Sequence, residues 1–251
     1  MTSRLFHCIE ELQGNLPWGA MLDAGTGTHS AGWIATLPTT RWTAVTVAPP
    51  HADQVRRAVG AAMRPRDRIV VGNWDDPVLL AGDGYETILA DYLIGAVDRF
   101  APYRQRALIG RLAGLARRRI YVVGVEPYVV QCPVDPAGRM VWEIGRLRDA
   151  CLLLAGETPF REFPASWVIE GLQAAGLSIV AVRRFPIRYR ARFVNSQIDM
   201  ALLRLAALED RWLAEALRAR AELLRNRALK LAGQEHGLRC GQDYVIAAEI
   251  S

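Results

Sequence analysis

The chain has 251 residues, of which 51% are hydrophobic and 23% charged, and its formal net charge is +5 at pH 7. These proportions supply one substantial core and exclude wholesale disorder, and no apolar run approaches the roughly 20 residues needed to cross a bilayer. The positive charge is almost all arginine, with Lys230 the only lysine, and it is scattered apart from 117–119 and 183–192. That distribution argues against a dedicated nucleic-acid surface.

Leu5, Phe6, Ile9 and Leu12 recur at helical spacing over 3–14, and Gly14 ends that helix. Glu10 and Glu11 fall inside it, where a signal peptide would be apolar, so a cytoplasmic location is expected. Strand one is expected at 20–24, a helix at 28–36 and strand two at 42–47. A helix at about 51–63 turns Val55 and Val59 inward, and strands three and four follow at 68–72 and 85–91. A helix at about 104–116 leads to strand five at 119–125. Next come a helix at about 139–155, bordered by Pro133, Pro136 and Pro159, a helix at 164–175, and strand six at 177–182.

Residues 195–232 read as helix throughout, with no Gly or Pro inside. One straight helix of that length would span roughly 57 Å, too long for one compact domain. A bend or hairpin is expected near 208–210. Strand seven, 244–250, closes the chain. Apolar strands alternating with amphipathic helices predict a doubly wound α/β sheet covered on both faces. Its ligand belongs beyond the carboxyl ends of the strands, near strand one.

The chemistry concentrates where strand one ends. Asp23 precedes the turn Gly25-Thr26-Gly27, which opens a helix through Thr28, His29 and Ser30. The two glycines permit a tight turn and a close ligand approach. Asp23 repels phosphate and suits a cationic or zwitterionic partner, such as the amino group of an amino acid. A nicotinamide-binding turn would carry a third glycine where Ser30 stands and an acid at the end of strand two. Residues 45–50 there read Val-Thr-Val-Ala-Pro-Pro.

Asp-x-Gly-x-Gly after a first strand, in alternating strand–helix units closed by a final pair of strands, resembles the class I S-adenosylmethionine-dependent methyltransferases. The resemblance implies a Rossmann-like, seven-stranded, mostly parallel sheet in a single domain over 1–251, its last strand inserted antiparallel beside strand six. Segments 133–160 and 186–235 are then helical insertions that form a substrate cap or a dimer surface. It also implies S-adenosyl-L-methionine as cofactor, held by Asp23, Ala24, Gly25, Thr26, Gly27, His29 and Ser30, with Val47 at the tip of strand two. After strand three, Asn73 or Asp75 is placed to meet the adenine amino group and Trp74 to stack on the ring. The alternative is that Trp74 packs over the sheet edge and Asp75 caps a helix. Many family members hold the ribose with a carboxylate at the tip of strand two. Val47 or Ala48 stands there, which leaves backbone groups, Thr46 or Asp53 for the ribose.

Asp91 and Tyr92, after strand four, occupy the position that faces the transferred methyl, and Asp91 counts among the cofactor contacts. Asp91, Tyr92 and Glu126 are the catalytic candidates, as proton acceptors or orienting groups; the alternative for Asp91 is a helix cap. Tyr92, Glu126, Tyr128, Arg148, Tyr189 and Arg192 are the substrate-binding candidates. Arginine grips carboxylates and phosphates with a bidentate fork, so a substrate with an acidic group is expected. Cys8, Cys132, Cys151 and Cys240 share no C-x-x-C spacing, and the four histidines form no H-x-x-x-H pair. Reduced thiols and no metal are expected. Ile198, Leu202, Leu205, Leu208, Trp212, Leu213, Ala216 and Leu217 form one broad stripe, a core or interface face. A homodimer through 195–232 follows from it, while Glu209, Asp210, Glu215 and Glu222 argue against a membrane surface. The expected function is methyl transfer to a small polar metabolite, with an N, O or S nucleophile open. The alternatives are an RNA or protein methyltransferase and a non-catalytic scaffold of the same fold.

Overall fold

The computed structural model describes residues 3–250. They divide into two compact units. The first holds the chain up to Val125 together with Glu162–Arg184 and the segment from Tyr244; the second holds Glu126–Arg161 and Phe185–Asp243.

The chain opens with α1 (Arg4–Gln13). Ser3 is extended and its hydroxyl accepts from the Phe6 amide at 3.3 Å, which starts the helix; Gly14, at φ 55°, stops it. Then follow β1 (Ala20–Asp23), α2 (Thr28–Ile34), β2 (Arg41–Thr46), α3 (Pro49–Val59), β3 (Arg68–Val71) and β4 (Tyr85–Asp91). Next are α4 (Leu93–Phe100), α5 (Gln105–Leu115), β5 (Ala116–Val125), α6 (Pro136–Leu154), α7 (Ala165–Ala174) and β6 (Leu177–Tyr189). The chain ends with α8 (Ala191–Leu205), α9 (Arg211–Gln234) and β7 (Leu238–Ile250).

Among the described residues the seven strands form one sheet in the order β3-β2-β1-β4-β5-β7-β6. The pairings β2–β3, β1–β2, β1–β4 and β4–β5 are parallel. β7 lies between β5 and β6, so the last strand does sit beside strand six. The sheet order reverses at β1, between β2 and β4, and the crevice outside the carboxyl ends of those strands is where such a sheet binds ligands. On one face Leu22, Ile88, Ala90, Ile120 and Val122 pack against Ile109 and Leu112 of α5 and Val168 and Leu172 of α7.

Four elements differ from the sequence reading, one of them β7, which begins at Leu238 and not at 244. β5 begins at Ala116 and takes in the arginine run, and Arg119 is buried rather than solvated. It donates to the Leu12 carbonyl at 2.6 Å, to Glu249 at 2.9 Å and to the Tyr121 hydroxyl at 3.2 Å, tying α1, β5 and β7 together. β6 runs on to Tyr189 instead of stopping at 182. It is the outermost strand, where Pro186 removes no ladder bond that a neighbour needs, and its exposed arginines 183, 184 and 188 discourage further strand pairing. α4 was not expected, because eight residues between a strand and a helix show too little periodicity to register.

In the second unit, α6, α8 and α9 pack around Val141, Ile144, Val194, Ile198, Ala221 and Leu224. The expected break in 195–232 is real: helix stops at Leu205, and α9 restarts after Asp210, whose side chain accepts from the Leu213 amide at 2.9 Å. Among the described residues no helix is long and apolar enough to cross a membrane.

Candidate functional site

The first unit brings the Asp-x-Gly-x-Gly turn to the middle of the sheet. The Ala24 amide bonds the Leu89 carbonyl of β4 at 2.9 Å and the Thr26 amide bonds the Val45 carbonyl of β2 at 2.8 Å, so the turn is pinned from both sides. Asp23 is 1% exposed. The Ser30 hydroxyl donates to its Oδ2 at 2.8 Å and accepts from the Gly27 amide at 3.1 Å, closing a loop from strand end to helix start. No donor among the described residues reaches Oδ1 with full hydrogen-bond geometry. Burial pushes the Asp23 carboxyl up to about 6, against the smaller opposing pull of the Thr26 and Ser30 hydroxyls and the Gly25 amide. A buried carboxylate with one unsatisfied oxygen is costly. It is the arrangement expected where a cationic group completes the shell.

The two glycines do different work. A Cβ on Gly25 would lie 2.7 Å from Leu93 Cδ1, so Gly25 is bare because Leu93 of α4 packs beneath the turn. A Cβ on Gly27 would meet nothing within 4 Å, and its φ of −123° suits any residue. Only Gly27 therefore leaves its α-carbon open toward free space. His29 is exposed, its ring 5.4 Å from that of Phe6.

Asn73, Trp74 and Asp75 all have protein partners. The Trp74 indole N–H donates to the Ala24 carbonyl at 2.5 Å, latching the loop after β3 onto the turn. Arg111 donates to the Trp74 and Leu79 carbonyls, its guanidinium 5.4 Å from the indole centroid. The Asn73 side chain accepts from the Asp75 amide at 3.0 Å, and Asp75 pairs with Arg104 at 2.9 Å. Val47 is 43% exposed just beyond β2, and Ala48 starts α3 with no side-chain cap.

Asp91 ends β4 and is half-buried. The register pairs Asp23 with Leu89, which puts Asp91 on the same face as Asp23 and one two-residue step further along. Tyr92 follows in the left-handed region, at φ 51° and ψ 17°, its amide bonded to the Val123 carbonyl at 3.0 Å. That conformation is strained for an aromatic residue.

The second unit holds Glu126, Tyr128, Arg148, Tyr189 and Arg192. It brings three of them together. Arg148 is buried, 8% exposed, and donates to the Tyr128 hydroxyl at 2.9 Å, Gln197 Oε1 at 2.6 Å and Asp149 at 2.6 Å. The Tyr128 and Tyr189 ring centroids are 6.0 Å apart. The fork of Arg148 is thus committed to protein groups, and it acts as the hub of a polar cluster. Glu126 is half-buried, its amide bonded to the Gln242 carbonyl at 2.9 Å, while Arg192 is exposed at the start of α8.

The sequence matches no protein-family profile and resembles no curated protein. Solved structures do match. A methyltransferase candidate from Bacillus halodurans superposes with a TM-score of 0.62 at 10% identity, over 98% of this chain and 98% of that one. The [4+2]-cyclase SpnF superposes at 0.57 and 16% identity, over 98% of this chain and 80% of its own. A mycolic acid cyclopropane synthase in complex with SAH superposes at 0.57 and 16% identity, over 97% and 83%. The chain has the class I methyltransferase fold.

Within the methyltransferase fold, the turn after β1 and the end of β4 stand where the sequence pattern placed them. Leu93, Arg111 and Gln197 were not anticipated. Leu93 reads as ordinary core, Arg111 as one more arginine on an amphipathic helix, and Gln197 carries no local signal. Only tertiary contacts reveal what they hold.

Proposed function

We propose that this chain is an S-adenosylmethionine-dependent methyltransferase acting on a small polar metabolite in the cytoplasm. The observation that carries the proposal is Asp23, a buried carboxylate with an unsatisfied oxygen beside the open α-carbon of Gly27. These groups fit the ammonium-bearing end of an amino-acid cofactor, while the missing carboxylate after β2 leaves the ribose to backbone groups at 46–48, to Thr46 or to Asp53. Bound there, S-adenosylmethionine supplies an electrophilic methyl group.

The chain's own task is then alignment and exclusion of water, which can lower a barrier by roughly 7–11 kcal/mol. Asp91, on the same sheet face as Asp23, and the strained Tyr92 are the residues assigned to hold a proton or orient the nucleophile. Glu126 is the corresponding candidate of the second unit. The acidic-substrate reading rests on Arg192, since Arg148 is already engaged by Tyr128, Gln197 and Asp149; Arg148 is assigned the positioning of Tyr128. Of the arginine run at 117–119, Arg119 is buried in the fold and lends nothing to an RNA substrate.

One fold serves several reactions, and a cyclase appears among the similar structures, so binding and turnover are tested separately. Titration calorimetry with S-adenosylmethionine and S-adenosylhomocysteine is expected to show binding by the native chain and at least tenfold weaker binding by Asp23→Ala. Absence of binding by the native chain, or equal binding by the variant, overturns the assignment. Cofactor binding without S-adenosylhomocysteine release across candidate acceptors would favour the non-catalytic alternative.

A further inference from the structure

The buried residues of α9, Ala214, Ala221, Leu224, Ala228 and Ala232, lie on one side of the helix, and the last four pack with residues of α6 and α8. At about 100° per residue, a second apolar row runs down the opposite side: Trp212, Ala216, Ala219 and Leu223. Trp212 is 80% and Leu223 54% exposed, and both alanines are exposed. A helix that is apolar on two faces, with only one of them covered, lacks a partner for the other. The spacing of four, three and four is that of a coiled-coil seam, and the small alanines permit close approach of a second backbone.

The flanks of this seam say what the partner is. Glu215 and Glu222 lie along one edge, seven residues apart, and Arg220 and Arg227 lie along the other with the same spacing. In heptad terms the two acids occupy the positions that face, in a parallel pair, the positions of the two arginines on the second helix. Antiparallel pairing would set acid against acid and arginine against arginine. Both arginines also reach Glu143 of α6, at 2.9 and 3.8 Å, which holds them on that edge while leaving their side chains 48% and 49% exposed. Asn226 and Lys230 continue the row with polar groups, a device that fixes register.

We propose that the outer face of α9 is a self-association surface, on which two copies of this chain pair their α9 helices side by side and parallel. Glu215 of one copy meets Arg220 of the other, and Glu222 meets Arg227. The seam runs about 27 Å from Trp212 to Lys230, consistent with a reversible dimer. This inference is independent of the cofactor assignment.

Sedimentation equilibrium of the full chain over a concentration series tests it. The native chain is expected to show a monomer–dimer equilibrium. Ala219→Glu and the double variant Glu215→Arg/Glu222→Arg are each expected to raise the dissociation constant by about tenfold or more, with unchanged far-ultraviolet circular dichroism. Asn226→Cys is expected to cross-link to itself on oxidation, identified by peptide mass, because parallel pairing opposes identical residues. A native chain that stays monomeric, a dimer indifferent to both variants, or cross-links from the introduced thiol only to other positions would each overturn the proposal. So would a monomer that instead co-floats with anionic lipid vesicles, which would assign the row to a lipid surface.

Discussion

Asp23 meets two opposing demands, burial and ionisation, and its chemistry can be read from both. Its carboxyl is raised from 3.8 to about 6, so the folded chain holds a proton that the unfolded chain releases. The stabilisation from the neutral carboxyl is complete below about pH 4 and is lost as pH rises through about 6, a change on the order of 2–3 kcal/mol. Asp23→Asn keeps the shape without the charge. It should abolish this part of the pH dependence and be more stable than the native chain at pH 8, as urea unfolding at pH 5 and pH 8 would read. Binding of a cationic ligand needs the ionised form, so cofactor affinity should fall below about pH 6, which calorimetry across pH would register. The neighbouring glycines separate packing from binding. Gly25→Val should destabilise the chain by roughly 1–3 kcal/mol through the clash with Leu93. Gly27→Val should leave melting unchanged yet abolish cofactor binding; equal effects from both would refute the distinction. The acid and both glycines were legible in the sequence because their spacing is local. Which glycine faces the protein and which faces open space was not, since Leu93 arrives from beyond β4.

At the scale of elements, strain and capping are the levers. Tyr92 makes the β4–α4 junction in a left-handed conformation, so Tyr92→Gly should raise stability by about 1 kcal/mol, measurable by denaturant midpoint. A lower midpoint would mean the aromatic ring contributes more packing than the backbone loses in strain. Arg119→Met leaves Glu249 and the Leu12 carbonyl without their buried donor, and a loss of about 3 kcal/mol is expected from the same measurement. The break between α8 and α9 was readable because length alone forbids a straight helix, while the N-cap role of Asp210 emerged only with the fold. The extent of β6 was not. Pro186 looks like a strand breaker in sequence, and only its place at the sheet edge makes it harmless.

For the whole molecule, a ligand that binds the folded chain alone stabilises it by about 2.7 kcal/mol at a hundredfold excess over its dissociation constant. S-adenosylmethionine at that excess should therefore raise the melting temperature by several degrees in the native chain and by at most about half as much in Asp23→Ala; no shift in the native chain would count against the cofactor assignment. The alternation of strands and helices, the turn after β1 and the acid before it are legible residue by residue, because periodicity and turn chemistry act over short stretches. It took the packed chain to latch Trp74 to the Ala24 carbonyl, to make Arg119 and Arg148 buried hubs and not solvated charges, and to leave α9 an uncovered apolar face. Those facts depend on which distant segments meet, and burial, the quantity that turns an arginine from surface charge into structural centre, is a property of the packed chain.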